Sequence, residues 1–198
     1  MGDQIGRLGM ERGVQTELVD RARHGDREAF GVLAGGAVDR LYATARHILR
    51  DAELAEDATQ EALVRAWRDL PALRDAERFD AWLYRLLVNA CNDVGRRRRR
   101  WRAEITVVST EPSELDRATE LADRDELERG LRRLTDAQRS VLVLSFYRGL
   151  SPTEMADALD IPVGTVKSRL HYAIDALRAA LAADERSVTG TTREERMA

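Results

Sequence analysis

Between Leu134 and Leu181 the chain constrains its own path more tightly than anywhere else. Thr135 and Gln138 are spaced as a capping box, and so are Ser151 and Glu154. Pro152 follows Ser151 at the first helical position, where its missing N–H costs nothing. That helix must stop near Leu159, because Pro162 disfavours helical geometry at Ile161. A further helix opens near Gly164, with Val166, Leu170, Ile174, Leu177 and Leu181 along one stripe. Its first turns carry Thr165, Lys167, Ser168, Arg169 and His171, which are polar or cationic. A short helix, a tight turn and a second helix with a basic N-terminal half form the helix-turn-helix pattern. Such a helix places its first turns against base edges in a DNA major groove. An ordinary three-helix bundle would share the caps and the turn, but it gives no reason for the basic face.

The chain upstream is helical too. Thr16 can cap a helix ended by Gly25, and Asp26 can cap the next. Phe30, Leu33, Val38, Leu41, Tyr42, Ala45, Ile48 and Leu49 continue at helical spacing, with Gly35-Gly36 read as a kink or break. Asp51 can cap a third helix that runs to about Asp69, before Pro71. Leu70–Asp75 reads as a loop, and a fourth helix starts near Ala76 with Phe79, Trp82, Leu83, Leu86 and Leu87 as its apolar face.

Two stretches of unusual charge stand out. On the third helix, Glu53, Asp57 and Glu61 share a face with Glu56 and Gln60. Adjacent like charges at that spacing cost roughly 0.2–0.5 kcal/mol each. A solvated face tolerates this, and a basic partner relieves it; charge alone does not choose. The fourth helix carries Arg78, Arg85 and Asn89, then five consecutive arginines, Arg96 to Arg100, and Trp101. One or two cations would complement the helix dipole; five exceed that need and suit phosphate contact beside stacking aromatics. The net charge of −3 hides this clustering. Ala103–Glu128 holds nine acidic residues against two arginines, a net of −7, and reads as an extended linker.

Several classes are excluded. No apolar run is long enough to span a membrane, and the N-terminus has no secretory h-region. Cys91 is the only cysteine, so no intrachain disulfide forms, which fits a cytoplasmic protein. No glycine-rich phosphate loop or serine nucleophile elbow is present. His24, His47 and His171 are scattered, and none follows a Glu at the spacing of a carboxylate-bridged metal bundle. The chain is expected to be no enzyme and to need no cofactor or metal.

The expected fold is all-α: two small helical modules joined by an acidic linker, the C-terminal one a helix-turn-helix. The expected boundaries are a flexible leader at 1–15, a helical domain at 16–102, the linker at 103–128, the helix-turn-helix domain at 129–183 and a disordered tail at 184–198.

With both modules placed, the chain resembles the extracytoplasmic-function group of bacterial RNA polymerase sigma factors from Glu17 to Leu181. The resemblance rests on His24-Gly25-Asp26 with Ala29-Phe30, on Ala55 to Glu61 with Ala66-Trp67, and on Phe79 to Leu83 with Asn89. In the second module it rests on Leu134 to Arg139, Leu150-Ser151 with Glu154-Met155-Ala156, and Gly164 to Leu170. It implies a promoter-specificity subunit that binds core RNA polymerase and two promoter elements. Glu56, Asp57, Gln60, Glu61, Arg65 and Trp67 would meet the polymerase, so the basic partner explains the acidic strip. Arg78, Trp82, Arg85, Asn89, Arg96 and Arg97 would read and open the downstream element, where a base is held out of the stack. Thr165, Lys167, Ser168, Arg169 and His171 would read the upstream element. The acidic linker would thread polymerase channels otherwise filled by nucleic acid. Members are commonly held inactive by an anti-sigma factor, a partner the resemblance implies here too. Tyr172 departs from the pattern, standing where a basic residue is frequent, and with so short a tail after Ala183 no added sensory domain is expected. The rivals are a stand-alone dimeric repressor or activator, for which no heptad stretch supplies an interface, and a helical enzyme, for which no catalytic constellation exists.

Overall fold

The structure, a computed structural model, describes the backbone of residues 2–106 and 130–195 and the side chains of residues 13–101 and 130–182. Seven α-helices lie among the described residues: α1 Gly2–Arg23, α2 Arg27–Leu49, α3 Ala52–Asp69, α4 Phe79–Thr106, α5 Asp136–Leu142, α6 Pro152–Leu159 and α7 Val163–Glu195. Two 3-10 turns, Leu70–Ala72 and Ala76–Arg78, link α3 to α4. No strand occurs among the described residues, so the all-α expectation holds.

Local sequence sets most helix ends. The Asp26 carboxylate accepts from the Glu28 and Ala29 N–H groups, and Asp51 accepts from Leu54 N–H. Both capping boxes close: Thr135 with Gln138, and Ser151 with Glu154. The left-handed backbone that ends α1 falls on Gly25, at φ 92°, where a side chain would be strained. Asp160 takes the left-handed position after α6, at φ 54°, one residue before the Ile161-Pro162 pair.

Three expectations need correction. The Gly35-Gly36 pair neither kinks nor breaks α2, because both glycines lie on its exposed side while Leu33, Ala37 and Leu41 keep the buried stripe continuous. The leader read at 1–15 is helical from Gly2 onward, as part of α1. The tail read at 184–198 continues α7 as far as Glu195. Most of the acidic linker, residues 107–128, lies outside the described residues; its first four residues extend α4.

In the first module, α2, α3 and α4 close around Leu41, Ile48, Leu70, Leu83 and Leu87, all fully buried. Ala55, Ala58, Ala62 and Ala66 give α3 a stripe of small side chains that brings its neighbours close. In the second, Val141, Leu144, Met155 and Val166 join α5, α6 and α7. α5 runs into a π-helical turn, Val143–Tyr147, which has no signature in the sequence. The turn is closed by Arg148 N–H to Val143 O and Leu150 N–H to Leu144 O, both 3.0 Å.

The two modules are packed together. Their buried side chains form one continuous apolar cluster. α6 lies along α4, and α5 with its π turn reaches α2. Gly95 of α4 permits this approach: a Cβ there would stand 2.6 Å from an Asp136 carboxylate oxygen of α5.

Candidate nucleic-acid interface

α7 presents the helix-turn-helix reading face. Lys167, Ser168, Arg169 and His171 are exposed, and Thr165 is half-buried. Pro162 O accepts from Thr165 N–H at 2.8 Å and from Val166 N–H at 3.1 Å, which fixes the first turn. Val166 and Ala173 anchor the opposite side of α7 in the core. Ser168 Oγ donates to Thr165 O at 3.0 Å, and His171 Nε2 lies 3.2 Å from an Asp175 carboxylate oxygen. Lys167 and Arg169 therefore point outward on a rigid support, and exposed Tyr172 continues the face.

Arg78, the last residue of the second 3-10 turn, and Trp82, Arg85 and Asn89 of α4 follow one another at helical spacing, so these four of the expected downstream set share one face. Only part of that face is open. Arg78 pairs with Asp157 of α6, and Arg85 lies 3.7 Å from Asp160. Trp82 is half-buried in a cleft of about 650 Å³ whose far wall is Ala156, Asp157 and Asp160 to Val163. Asn89 is exposed and lines a different cleft, with Arg96, Arg99 and Asp136.

The arginine run divides by role. Arg98 pairs with Asp51, the cap of α3. Arg99 pairs with Asp136 at the start of α5. Arg96 bonds to Asp93 at 2.5 Å, while Arg97 and Arg100 are exposed. Burial pushes the Asp51 carboxyl up, but the Leu54 N–H and the Arg98 guanidinium outweigh it and hold it below the usual carboxylate range. Two of the five arginines thus brace the fold, which the sequence alone did not separate from the rest.

The polymerase-facing candidates lie on α3. Glu56, Asp57 and Gln60 are exposed. Arg65 is turned inward: it bonds Glu61 at 2.8 Å and Asp93 of α4 at 2.9 Å. The Glu61 charge is therefore relieved within the chain, whereas Glu56 and Asp57 remain open. Trp67 is 37% exposed and packs on Phe30 at 5.0 Å between ring centroids. Beside it runs an apolar groove that includes Val38, Tyr42, Leu63 and Val64. Val38 and Tyr42, which continue the helical spacing of α2, line this groove, and Val64 of α3 joins them. The signal was present: Gln60, Val64 and Trp67 recur at i, i+4 and i+7 on a face that is otherwise charged.

No group of metal-ligating side chains and no helix long and apolar enough to cross a membrane occurs among the described residues. Cys91 is fully buried, and desolvation pushes its thiol up to about 12, so it stays protonated.

Two helical modules, one with a basic aromatic stripe and one with a helix-turn-helix, define an all-α protein of the DNA-binding class. Residues 37–103 match the model for Sigma-70 region 2, and residues 130–179 match Sigma-70, region 4. RNA polymerase sigma-H factor of Pseudomonas aeruginosa is 32% identical over 178 residues, covering 83% of this chain and 92% of that protein. ECF RNA polymerase sigma factor SigL of Mycobacterium tuberculosis is 38% identical over 148 residues, covering 71% and 82%. The solved structure of CnrH in complex with the cytosolic domain of CnrY superposes with a TM-score of 0.62 at 30% identity, covering 86% of this chain and 99% of that one. The chain belongs to the bacterial RNA polymerase sigma factors, in the extracytoplasmic-function group.

Proposed function

We propose that this chain binds core RNA polymerase through the outer face of α2 and α3, reads the upstream promoter element with α7 and opens the downstream element with α4. One observation carries the assignment: the exposed acidic and apolar groove on α2 and α3 is separate from both cationic faces. A polymerase contact there leaves α4 and α7 for DNA. Glu56, Asp57 and Gln60 supply charge for a basic partner, and Phe30, Val38, Tyr42, Val64 and Trp67 supply apolar area. Glu61 and Arg65 brace α3 against α4 instead of meeting the partner directly.

Lys167 and Arg169 engage phosphates and base edges, and Thr165, Ser168 and His171 complete the upstream reader. On α4, Arg78, Arg85, Arg96 and Arg97 hold the downstream backbone, while Trp82 and Asn89 meet bases. The chain contributes specificity and melting, and the polymerase performs the chemistry. Its place is the cytoplasm, where the polymerase acts. An anti-sigma factor is the inhibitory partner that the family resemblance implies.

Run-off transcription with purified core polymerase on fragmented DNA of the source genome tests the function. Discrete new start sites that depend on the chain are the expected result, and they would give both promoter elements. Transcripts unchanged by the chain, with sequence-specific binding by the chain alone, would replace this reading with a stand-alone regulator. Glu56→Lys with Asp57→Lys is expected to weaken association with core polymerase while circular dichroism stays unchanged. Undiminished association would make the strip a solvated face.

A further inference from the structure

A second concentration of charge lies where α4 faces α5. Asn89, Asn92, Arg96 and Arg99 recur at helical spacing and form one wall of a cleft of about 960 Å³. Asp136 and Arg139 of α5 stand on the other wall, and Arg65 and Asp93 line it as well. Four guanidiniums therefore meet two carboxylates, and each carboxylate is shared. Asp136 gives one oxygen to Arg99 and the other to Arg139. Asp93 gives one to Arg96 at 2.5 Å and the other to Arg65 at 2.9 Å. A guanidinium has more N–H donors than one carboxylate oxygen takes up, so the cleft keeps an excess of both positive charge and donors.

Arg139 shows the imbalance most plainly. Its side chain is only 10% exposed, and its Nε has no acceptor among the described residues. A buried donor without an acceptor is costly. Burial lowers the Arg139 pKa in spite of Asp136, and the like charges of Arg50 and Arg99 push the same way. A buried cation under repulsion, beside an open cleft, is relieved by a further anion. Asn89 and Asn92 add side-chain amide donors, and no aromatic ring lines the cleft on which a base could stack. Planar guanidinium forks match phosphate oxygens, and a cleft of this size takes more than a single phosphate.

We propose that the cleft between α4 and α5 is a binding site for a diphosphate group, held by Arg96 and Arg99 from one wall and by Arg139 from the other. Asp93 and Asp136 orient the guanidiniums, and Asn89 and Asn92 donate to the outer oxygens. The site gives Arg99, Arg139 and Asn92 a ligand, whereas promoter reading assigns them none, and it stands whether or not α4 and α7 read DNA. Its two walls come from different modules, so a bound diphosphate stabilises their contact by mass action.

The test is isothermal titration calorimetry of the full chain with inorganic pyrophosphate, at fixed ionic strength and without divalent cations. Saturable binding of one pyrophosphate per chain is the expected result. Arg96→Gln with Arg99→Gln, both at exposed positions, is expected to weaken it roughly tenfold or more. Arg97→Gln with Arg100→Gln is the control: it removes the same charge from the same arginine run outside the cleft, and the affinity should not change. No saturable binding would overturn the site. Equal losses in the two variants would overturn it too, by showing a diffuse attraction to the whole run. Adenosine diphosphate, titrated in parallel, separates the sources of the group. Affinity equal to that of pyrophosphate assigns the site to a diphosphate wherever it is carried, and weaker binding assigns it to the inorganic anion. Amide hydrogen exchange with pyrophosphate present should slow at residues 92–99 and at residues 136–139. Slowing on α4 alone would overturn the two-walled site.

Discussion

The two helices proposed to face DNA stand in opposite situations. α7 shows Lys167, Ser168 and Arg169 to solvent, while α4 has Arg78 and Arg85 against carboxylates of α6 and Trp82 half-buried. Both faces are cationic and both are supported by a rigid core. What separates them is the partner each meets inside the molecule. A cationic stripe therefore tells which surface suits nucleic acid, and the packing around it tells when that surface is available. In this chain the cationic face of α7 is open, and that of α4 is partly covered by the end of α6 and the turn after it.

The largest effect that would break this comparison comes from the core beneath α6. Met155 is fully buried, and Met155→Ala is expected to cost about 2–5 kcal/mol in chemical denaturation. Binding to upstream-element DNA should fall with it, because α6 supports α7. A cost well below about 1 kcal/mol would mean that α6 is not anchored as described. Next, Arg169→Ala is expected to weaken upstream-element binding by about 1–3 kcal/mol if its guanidinium reads a guanine. Arg78→Ala should leave that same binding unchanged in the free chain. Equal losses from the two substitutions, measured by anisotropy on matched promoter DNA, would erase the contrast between the faces.

Smaller changes sharpen the picture. Ser151→Ala removes one half of a capping box and should lower stability by about 1 kcal/mol in denaturant titration. Amide exchange should quicken first at the start of α6; uniform quickening across α2 and α3 would contradict a local role. The smallest expected effect separates bracing arginines from reading arginines. Asp51 has a lowered pKa in the fold, so its contribution is present above the ordinary carboxylate range and is lost as the pH falls through its folded value. Asp51→Asn can keep the cap but loses the Arg98 charge pair, at a cost of up to about 1 kcal/mol near neutral pH. The gap between the wild-type chain and this variant should close as the pH drops below about 4. A gap that is constant with pH would show that the Arg98–Asp51 charge pair contributes nothing.

Local pairs explain how much of this was legible in the sequence. Asp26, Asp51, Thr135 with Gln138 and Ser151 with Glu154 act on N–H groups two or three residues away, so spacing reveals them. The stripe of Arg78, Trp82, Arg85 and Asn89 follows from helical period in the same way. The docking of α6 on α4 depends on contacts between residues far apart in the chain, such as Arg78 with Asp157 and Arg148 with Tyr84, and no spacing rule reaches that far. The inward turn of Arg65 toward Asp93 was hidden for the same reason. The Gly35-Gly36 pair misled because low helix propensity is a weak prior, overridden where the buried stripe on the other side is unbroken. Val64 was passed over because an exposed valine is ordinary alone and informative only beside Trp67 and Phe30.

The most direct measurement is a chemical footprint on a promoter obtained by run-off transcription, with the chain alone and with core polymerase present. The account predicts protection of the upstream element in both samples, and of the downstream element only when polymerase is bound. Downstream protection by the chain alone would contradict it, because α6 would then not be keeping DNA from α4.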